Sequence, residues 1–333
     1  MNSIITVMLI SLLRLAIPIV ICGIGNMYCE KSGVMNLGAE GMMISGAFGA
    51  VAGTYLTGSP WLGVLCGLLG GLAVGFAHGL ICVEFGGYQN ISGLGLNMLA
   101  AGLTSFCCRS LFGTGLSPAV ASIQTTPFLK GIPGIGGFLQ QFSPIAYITI
   151  ALVAVSWYVV KYTTAGLRMT AIGDDPQTAV TAGIDIWKIR MGCVMLCGAL
   201  AGLAGAYMSI GQLNIFMEDM TNGKGMLAVI AVKMGRWEPK RIVLIALLFG
   251  FFDALQLQMQ MNNAFDFPPE LIQTIPFVVG ILILAMDSVT ATNPQALAKP
   301  FLKNKYKFKG ADNCEQKTQY CIYLKRPSGF LRP

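Results

Sequence analysis

The sequence predicts an all-α, polytopic integral membrane protein with about 8–10 transmembrane helices. Three observations carry this. The chain of 333 residues is 54% hydrophobic, about 180 positions, and only 11% charged, against about 25% for an ordinary soluble domain. A bilayer span takes about 20 residues, so that apolar content matches eight to ten spans. Forty-one glycines suit membrane helices, where small residues let backbones approach.

Apolar runs place nine candidate spans at 4–25, 33–56, 61–85, 91–112, 143–161, 189–210, 219–235, 241–261 and 270–287. The first lacks a basic n-region and a cleavage site, so it reads as a retained span rather than a leader. The second and seventh carry polar residues and several glycines and read as broken or re-entrant, a geometry tolerated where backbone is buried in protein or lines a watery cavity. Glycine-rich stretches 63–75 and 198–205 look alike, but helix packing explains that without an internal repeat.

Charge gives the orientation. The last 35 residues hold nine basic and two acidic side chains, so they carry the entire net charge of +7. Lys161, Arg168, Lys188 and Arg190 flank one loop, Lys233, Arg236, Lys240 and Arg241 a second, and Lys299 to Lys309 follow the last span. With nine spans all three regions share one side, which the positive-inside rule makes cytoplasmic. The expected organisation is a transmembrane domain over 1–300 and a basic cytoplasmic tail over 301–333. The tail's charge belongs to topology, with contact to anionic lipid headgroups as a secondary role. A basic protein seeking nucleic acid is excluded, because residues 1–298 are balanced.

Ionisable groups at membrane depth are functional candidates by default. Asn36 and Glu40 are four apart and would share a helix face. Either they line a translocation pathway, or Glu40 forms an internal ion pair such as one with Arg14. Asn97 either faces the pathway or hydrogen-bonds a neighbouring helix. Asp253 and Gln256 begin a polar stripe that continues to Gln260, which suits a wet or protein-buried face. Glu84 and Arg109 lie near span ends, where snorkelling explains them. His78, the single histidine, reads as a packed or hydrogen-bonded residue.

The loop 162–188 contains Asp175-Pro176-Gln177-Thr178-Ala179-Val180-Thr181-Ala182-Gly183. Asp175 can cap a helix that starts at Pro176, since proline has no N–H to lose there, and Gly183 supplies the residue after it. The result is a short helix between two spans, either a docking knob or a plain connector.

Several chemistries are excluded. Seven cysteines lie in apolar runs without a C-x-x-C, and one histidine cannot assemble a His/Cys metal cluster. Gly223-Lys224 is followed by Gly225, so no phosphate-cradling loop is present. No nucleophile elbow or paired catalytic carboxylates appear. No cofactor is expected.

With these residues in view, the chain resembles the permease subunits of bacterial ABC importers in the branched-chain amino acid/ribose/nucleoside permease family. Gly33 through Met43, GVMNLGAEGMM, is similar to a family stretch. So are Ser92 through Phe106, Gly166 through Gly183 and Gly250 through Gln260. The resemblance covers roughly residues 5–300 and stops near Phe301. It implies cytosolic ABC ATPase subunits that hydrolyse ATP in place of this chain, a second permease subunit (a paralogue or a second copy), and an extracytoplasmic solute-binding protein. It makes the short helix a cytosolic coupling helix, carried by Asp175, Pro176, Gln177, Ala179, Ala182 and Gly183. It implies alternating access in the bacterial cytoplasmic membrane. The second and fourth stretches favour the nucleoside/simple-sugar branch over amino-acid carriers, with a nucleoside the expected solute and a simple sugar the runner-up. Apolar spans with amide and hydroxyl groups also suit a neutral polar solute. A secondary transporter would want paired intramembrane acids or basic gates, which the scattered charges supply poorly.

Overall fold

Residues 2–123, 140–261, 274–287 and 294–299 are described in a computed structural model of the chain. The 301–333 tail and most of the 113–142 loop lie outside the described residues. Among those described, all regular structure is helical except one isolated antiparallel bridge, Leu116 with Met217. The chain is a multi-pass membrane protein.

Among the described residues eleven helices follow in order: α1 Asn2–Lys31, α2 Ala39–Thr57, α3 Pro60–Gly79, α4 Gln89–Phe112, α5 Pro144–Tyr162, α6 Thr164–Asp174, α7 Pro176–Thr181, α8 Ile186–Met208, α9 Lys224–Met234, α10 Pro239–Met261 and α11 Ile275–Asp287. Single π-helical turns, Leu80–Glu84 and Ser209–Leu213, extend α3 and α8.

Of the nine apolar runs, six are unbroken helices long and apolar enough to cross a membrane: α1, α3, α4, α5, α8 and α10. The second and seventh are interrupted, as their glycines and polar residues suggest. The second is a non-helical segment up to Gly38 followed by α2. The seventh is a run of turns followed by the 11-residue α9, about 16 Å long and so roughly half the hydrocarbon core. The described part of the ninth is the 13-residue α11.

The centre of the bundle is α8, whose apolar window is 78% buried against 22% for α5. The two similar glycine-rich stretches pack on each other and on α2. A Cβ on Gly67 would lie 2.8 Å from the Gly46 carbonyl oxygen, and one on Gly198 2.6 Å from that of Gly71. Dispersion contacts between such close backbones are what hold membrane helices together where water cannot drive association.

One end of the bundle collects the segments that carry the basic loops. Gly173, at the end of α6, lies against the Lys31 carbonyl and accepts a bond from Ala296 N at 2.9 Å. Arg190, in the first turns of α8, donates from Nε to the Ser32 carbonyl at 2.9 Å. Trp237, between α9 and α10, donates from Nε1 to Glu30 at 2.8 Å. At the other end, residues 114–120 pair with 214–218 through Ser117 N to Phe216 O and Val120 N to Asn214 O, both 2.9 Å. Arg109 closes the same end on Glu218 with two bonds of 2.7 and 2.8 Å. That pair holds the Glu218 carboxyl below its usual range. Arg109 thus has a specific partner rather than only a snorkelling path.

Candidate functional site at two interrupted helices

The interruption before α2 is built by side chains that replace missing helical bonds. Asn36 does not share a helix face with Glu40, because α2 begins only at Ala39. Instead Asn36 Oδ1 accepts from Gly38 N at 2.8 Å, a local turn of the kind asparagine forms with its own backbone. Its Nδ2 reaches Cys197 Sγ at 3.1 Å, and the residue is fully buried. Asn97, on α4, spans the start of α2: Nδ2 donates to Leu37 O at 2.8 Å and Oδ1 accepts from Gly41 N at 2.7 Å. Gly41 permits this approach, since a Cβ there would lie 2.9 Å from Asn97 Cα. Below, Gln89 Oε1 accepts from Met35 N at 2.6 Å. His78 joins Ser92 Oγ at 3.0 Å and the Met35 carbonyl at 3.2 Å, so it is hydrogen-bonded as expected.

Glu40 connects the two interruptions. Its Oε1 accepts from Gly223 N at 2.9 Å, and its Oε2 from Gly225 N at 2.7 Å and Met226 N at 3.3 Å. These are orphan donors at the N-terminus of α9, where a carboxylate also meets the positive end of the helix dipole. Gly225 leaves the space, because a Cβ there would lie 2.7 Å from Glu40 Oε2. Arg14 is not the partner of Glu40: its guanidinium donates to the Gln141 carbonyl instead.

Beside this junction lies a polar cavity of about 140 Å³, lined in part by Asn222, Lys224, Asp253, Gln256 and Phe277. Lys224 Nζ is 3.9 Å from Asp253 Oδ2, and both side chains are nearly buried, at 14% and 12% exposed. That distance is an ion pair without a hydrogen bond, and Asp253 Oδ2 has no hydrogen-bond donor among the described residues. Water or a ligand donor satisfies such an atom when the cavity holds one.

Five residues stood out in the sequence as pathway candidates. Asp253 and Gln256 line this cavity, Glu40 is bonded to the helix end beside it, and Asn36 and Asn97 hold the segment leading to Glu40. Lys224 and Asn222 were not among them. The one signal for Lys224 was a Gly-Lys pair, which as a phosphate loop led nowhere.

The 162–188 loop holds two helices rather than one, α6 and α7. Asp175 caps α7: Oδ1 accepts from Gln177 N at 2.9 Å and Thr178 N at 3.4 Å, and Oδ2 from the Thr178 hydroxyl at 2.5 Å. The Thr178 hydroxyl and backbone bonds hold its carboxyl below the usual range. Pro176 takes the first helical position, and Gly183 follows with φ +77°. Gln177 and Ala182 are exposed, while Ala179 is buried.

A bundle with two interrupted helices meeting at a half-buried carboxylate, and a capped knob at one end, is the build of a membrane transport subunit. Comparison with known proteins makes the class specific. Residues 8–286 match the family described as branched-chain amino acid transport system / permease component, and the chain belongs to that family of ABC transporter permeases. It is 32% identical over 306 residues to the guanosine ABC transporter permease protein NupQ of Bacillus subtilis, covering 87% of this chain and 94% of the relative. It is 31% identical over 317 residues to the nucleoside ABC transporter permease protein NupC of Lactococcus lactis, covering 92% and 100%. It is 31% identical over 315 residues to the putative glucose ABC transporter permease protein TsgC13 of Haloferax volcanii, covering 86% and 94%. No solved structure matches.

Proposed function

We propose that this chain is the membrane-spanning subunit of an ATP-driven importer that moves nucleosides across the bacterial cytoplasmic membrane by alternating access. The observation that carries the reading is the polar cavity beside the Glu40 junction. The interrupted start of α9 and the unbroken α10 bring an ammonium, a carboxylate and two amides together inside an otherwise apolar bundle. Such a set offers donors and acceptors in nearly balanced charge, which suits the edges of a neutral nucleobase and the hydroxyls of a ribose. In this reading Lys224, Asp253, Gln256 and Asn222 face the solute. Asn36, Glu40 and Asn97 frame the wall that presents them.

The chain carries no ATP chemistry of its own here. α7, with Asp175, Pro176, Gln177, Ala179, Ala182 and Gly183, docks into a groove on a cytosolic ABC ATPase. A second permease subunit completes the pathway, and a solute-binding protein delivers from the opposite side. The α6–α7 loop and the C-terminus then lie in the cytoplasm, in line with the basic residues around them.

The test is uptake of labelled guanosine by proteoliposomes holding this chain with its partner permease, ATPase and binding protein. Uptake requires ATP and falls at least about tenfold in Lys224→Gln and in Asp253→Asn, each leaving a buried charge unpaired. Uptake driven by an ion gradient without ATP would refute the class. The similarity to a glucose permease supports simple sugars as the second reading, and glucose or ribose transport with guanosine ignored would favour it.

A further inference from the structure

A second cavity lies between α1, α5 and α10. Its volume is about 580 Å³, within the range of roughly 300–1,000 Å³ common for ligand sites. The wall is apolar, with Leu13, Ile17, Ile150, Val153 and Val243 among its residues, and Trp157 and Lys240 stand at one end. Along α5 the wall runs from Tyr147 to Trp157, about 15 Å of helix at 1.5 Å per residue. That length is half of a hydrocarbon core about 30 Å thick, so the groove extends about one leaflet from its charged end.

The charged end is unusual for a span terminus. Lys240 Nζ sits 4.3 Å from the centroid of the Trp157 ring, and Lys161 Nζ lies 5.8 Å from the same ring and 5.7 Å from that of Tyr162. Both lysines are exposed. Among the described residues no ion pair engages either ammonium, whereas neighbouring Arg241 is paired with Glu238 at 3.0 Å. Two ammoniums around one indole repel each other, and an anion between them relieves this. A second protein helix seated here would bury both charges without a carboxylate. A zwitterionic headgroup would bring a third ammonium beside them.

We propose that this groove binds one anionic phospholipid from the leaflet facing the basic loops. One acyl chain lies along α1, α5 and α10, and the phosphate bridges Lys161 and Lys240. Trp157 and Tyr162 sit at the level of the ester groups, where amphipathic rings prefer to be.

Native mass spectrometry of the purified full chain in detergent, with phosphatidylglycerol or phosphatidylcholine added, tests this. One phosphatidylglycerol per chain is retained, in preference to phosphatidylcholine. Lys161→Gln with Lys240→Gln weakens that retention roughly 30-fold, from two lysines at several-fold each, while Lys188→Gln leaves it unchanged. Ile150→Trp fills the groove and also releases the lipid with both lysines intact. A phosphatidylglycerol carrying a mid-chain diazirine labels α5 and α10 peptides. Equal retention of the two lipids, or unchanged retention in the double lysine variant, overturns the proposal. So does disulfide capture of Ala154→Cys by another subunit in the assembled complex, because a protein would then cover the groove.

Discussion

The Glu40 junction makes the sharpest prediction. Glu40→Gln keeps the side chain's size and removes its charge. The carboxylate takes three backbone N–H groups of α9, at 2.7 to 3.3 Å, through both oxygens. An amide has one acceptor oxygen. If it keeps the Oε2 bonds to Gly225 and Met226, its NH₂ faces the Gly223 N–H and leaves that donor unpaired. An unpaired buried donor costs about 1–3 kcal/mol. The lost attraction between a charge and the helix dipole adds about 0.3–1 kcal/mol or more at a buried site. The total is roughly 1.3–4 kcal/mol, or about 10- to 1,000-fold in the population of the capped junction. Hydrogen exchange of peptides covering 221–228 reads that population, because local opening sets the rate. Exchange there accelerates by one to three orders of magnitude in Glu40→Gln, with peptides of α5 unchanged. Nucleoside uptake by the reconstituted complex falls with it. Wild-type exchange at 221–228 in the variant would refute the role given to this carboxylate.

Further outcomes follow from packing and capping. Gly202→Ala places a methyl against Gly67 and the backbone of Gly71, and lowers stability by about 1–3 kcal/mol in thermal melts of the detergent-solubilised chain. Gly102→Ala, with open space at its Cβ, leaves the melt unchanged. Trp237→Phe removes the N–H that Glu30 accepts and destabilises by about 1–3 kcal/mol. A double-mutant cycle with Glu30→Gln shows a coupling of about 0.5–3 kcal/mol, and strict additivity would contradict the contact. Asp175→Ala uncouples solute-stimulated ATP hydrolysis by the reconstituted complex, while Asp175→Asn, which still accepts at a cap, retains part of it. The folded Asp175 carboxyl lies below its unfolded value of about 3.9, so its contribution to α7 is complete above that pH. It disappears as pH falls through the depressed folded value, and exchange of the α7 amides measured across that range reports it.

Much of the architecture is legible in the residue pattern because membrane helices obey a simple rule: every backbone group is satisfied within the segment, or a side chain does it. Length and apolarity alone locate the six unbroken crossings. Gly33, Gly38 and Gly41 mark the break before α2, and Asp175, Pro176 and Gly183 mark both ends of α7 because caps are local chemistry. The partners are not local. Nothing around Glu40 in the chain points to Gly223 and Gly225, about 185 residues away. The helix-face argument joining Asn36 to Glu40 fails because it presumes a helix over the very residues that break it. Lys224 is hidden for the same reason: its neighbours Asp253 and Gln256 sit on another helix. The glycine stretches 63–75 and 198–205 look alike because they are two sides of one contact.

The polar residues at the centre divide into two kinds, and the division bears on what moves. Asn97 and Glu40 spend their polar atoms on backbone, as Asn36 does its Oδ1, in bonds of 2.7 to 3.3 Å that close gaps in α2 and α9. Releasing Glu40 during each transport cycle would expose three donors at once, each costing about 1–3 kcal/mol if left unpaired. The economical motion keeps α2 and the start of α9 together as one body. The Lys224–Asp253 contact is different. At 3.9 Å it is a loose pair with one oxygen lacking a donor, and its members come from α9 and α10. In the proposed reading, a solute hydroxyl or amine that bridges them supplies the donor that Asp253 Oδ2 lacks among the described residues. α10 sliding against the α2–α9 body would alter that distance first. The junction is therefore where rigidity is built, and in the proposed reading the cavity beside it is where a bound solute would bias the position of α10.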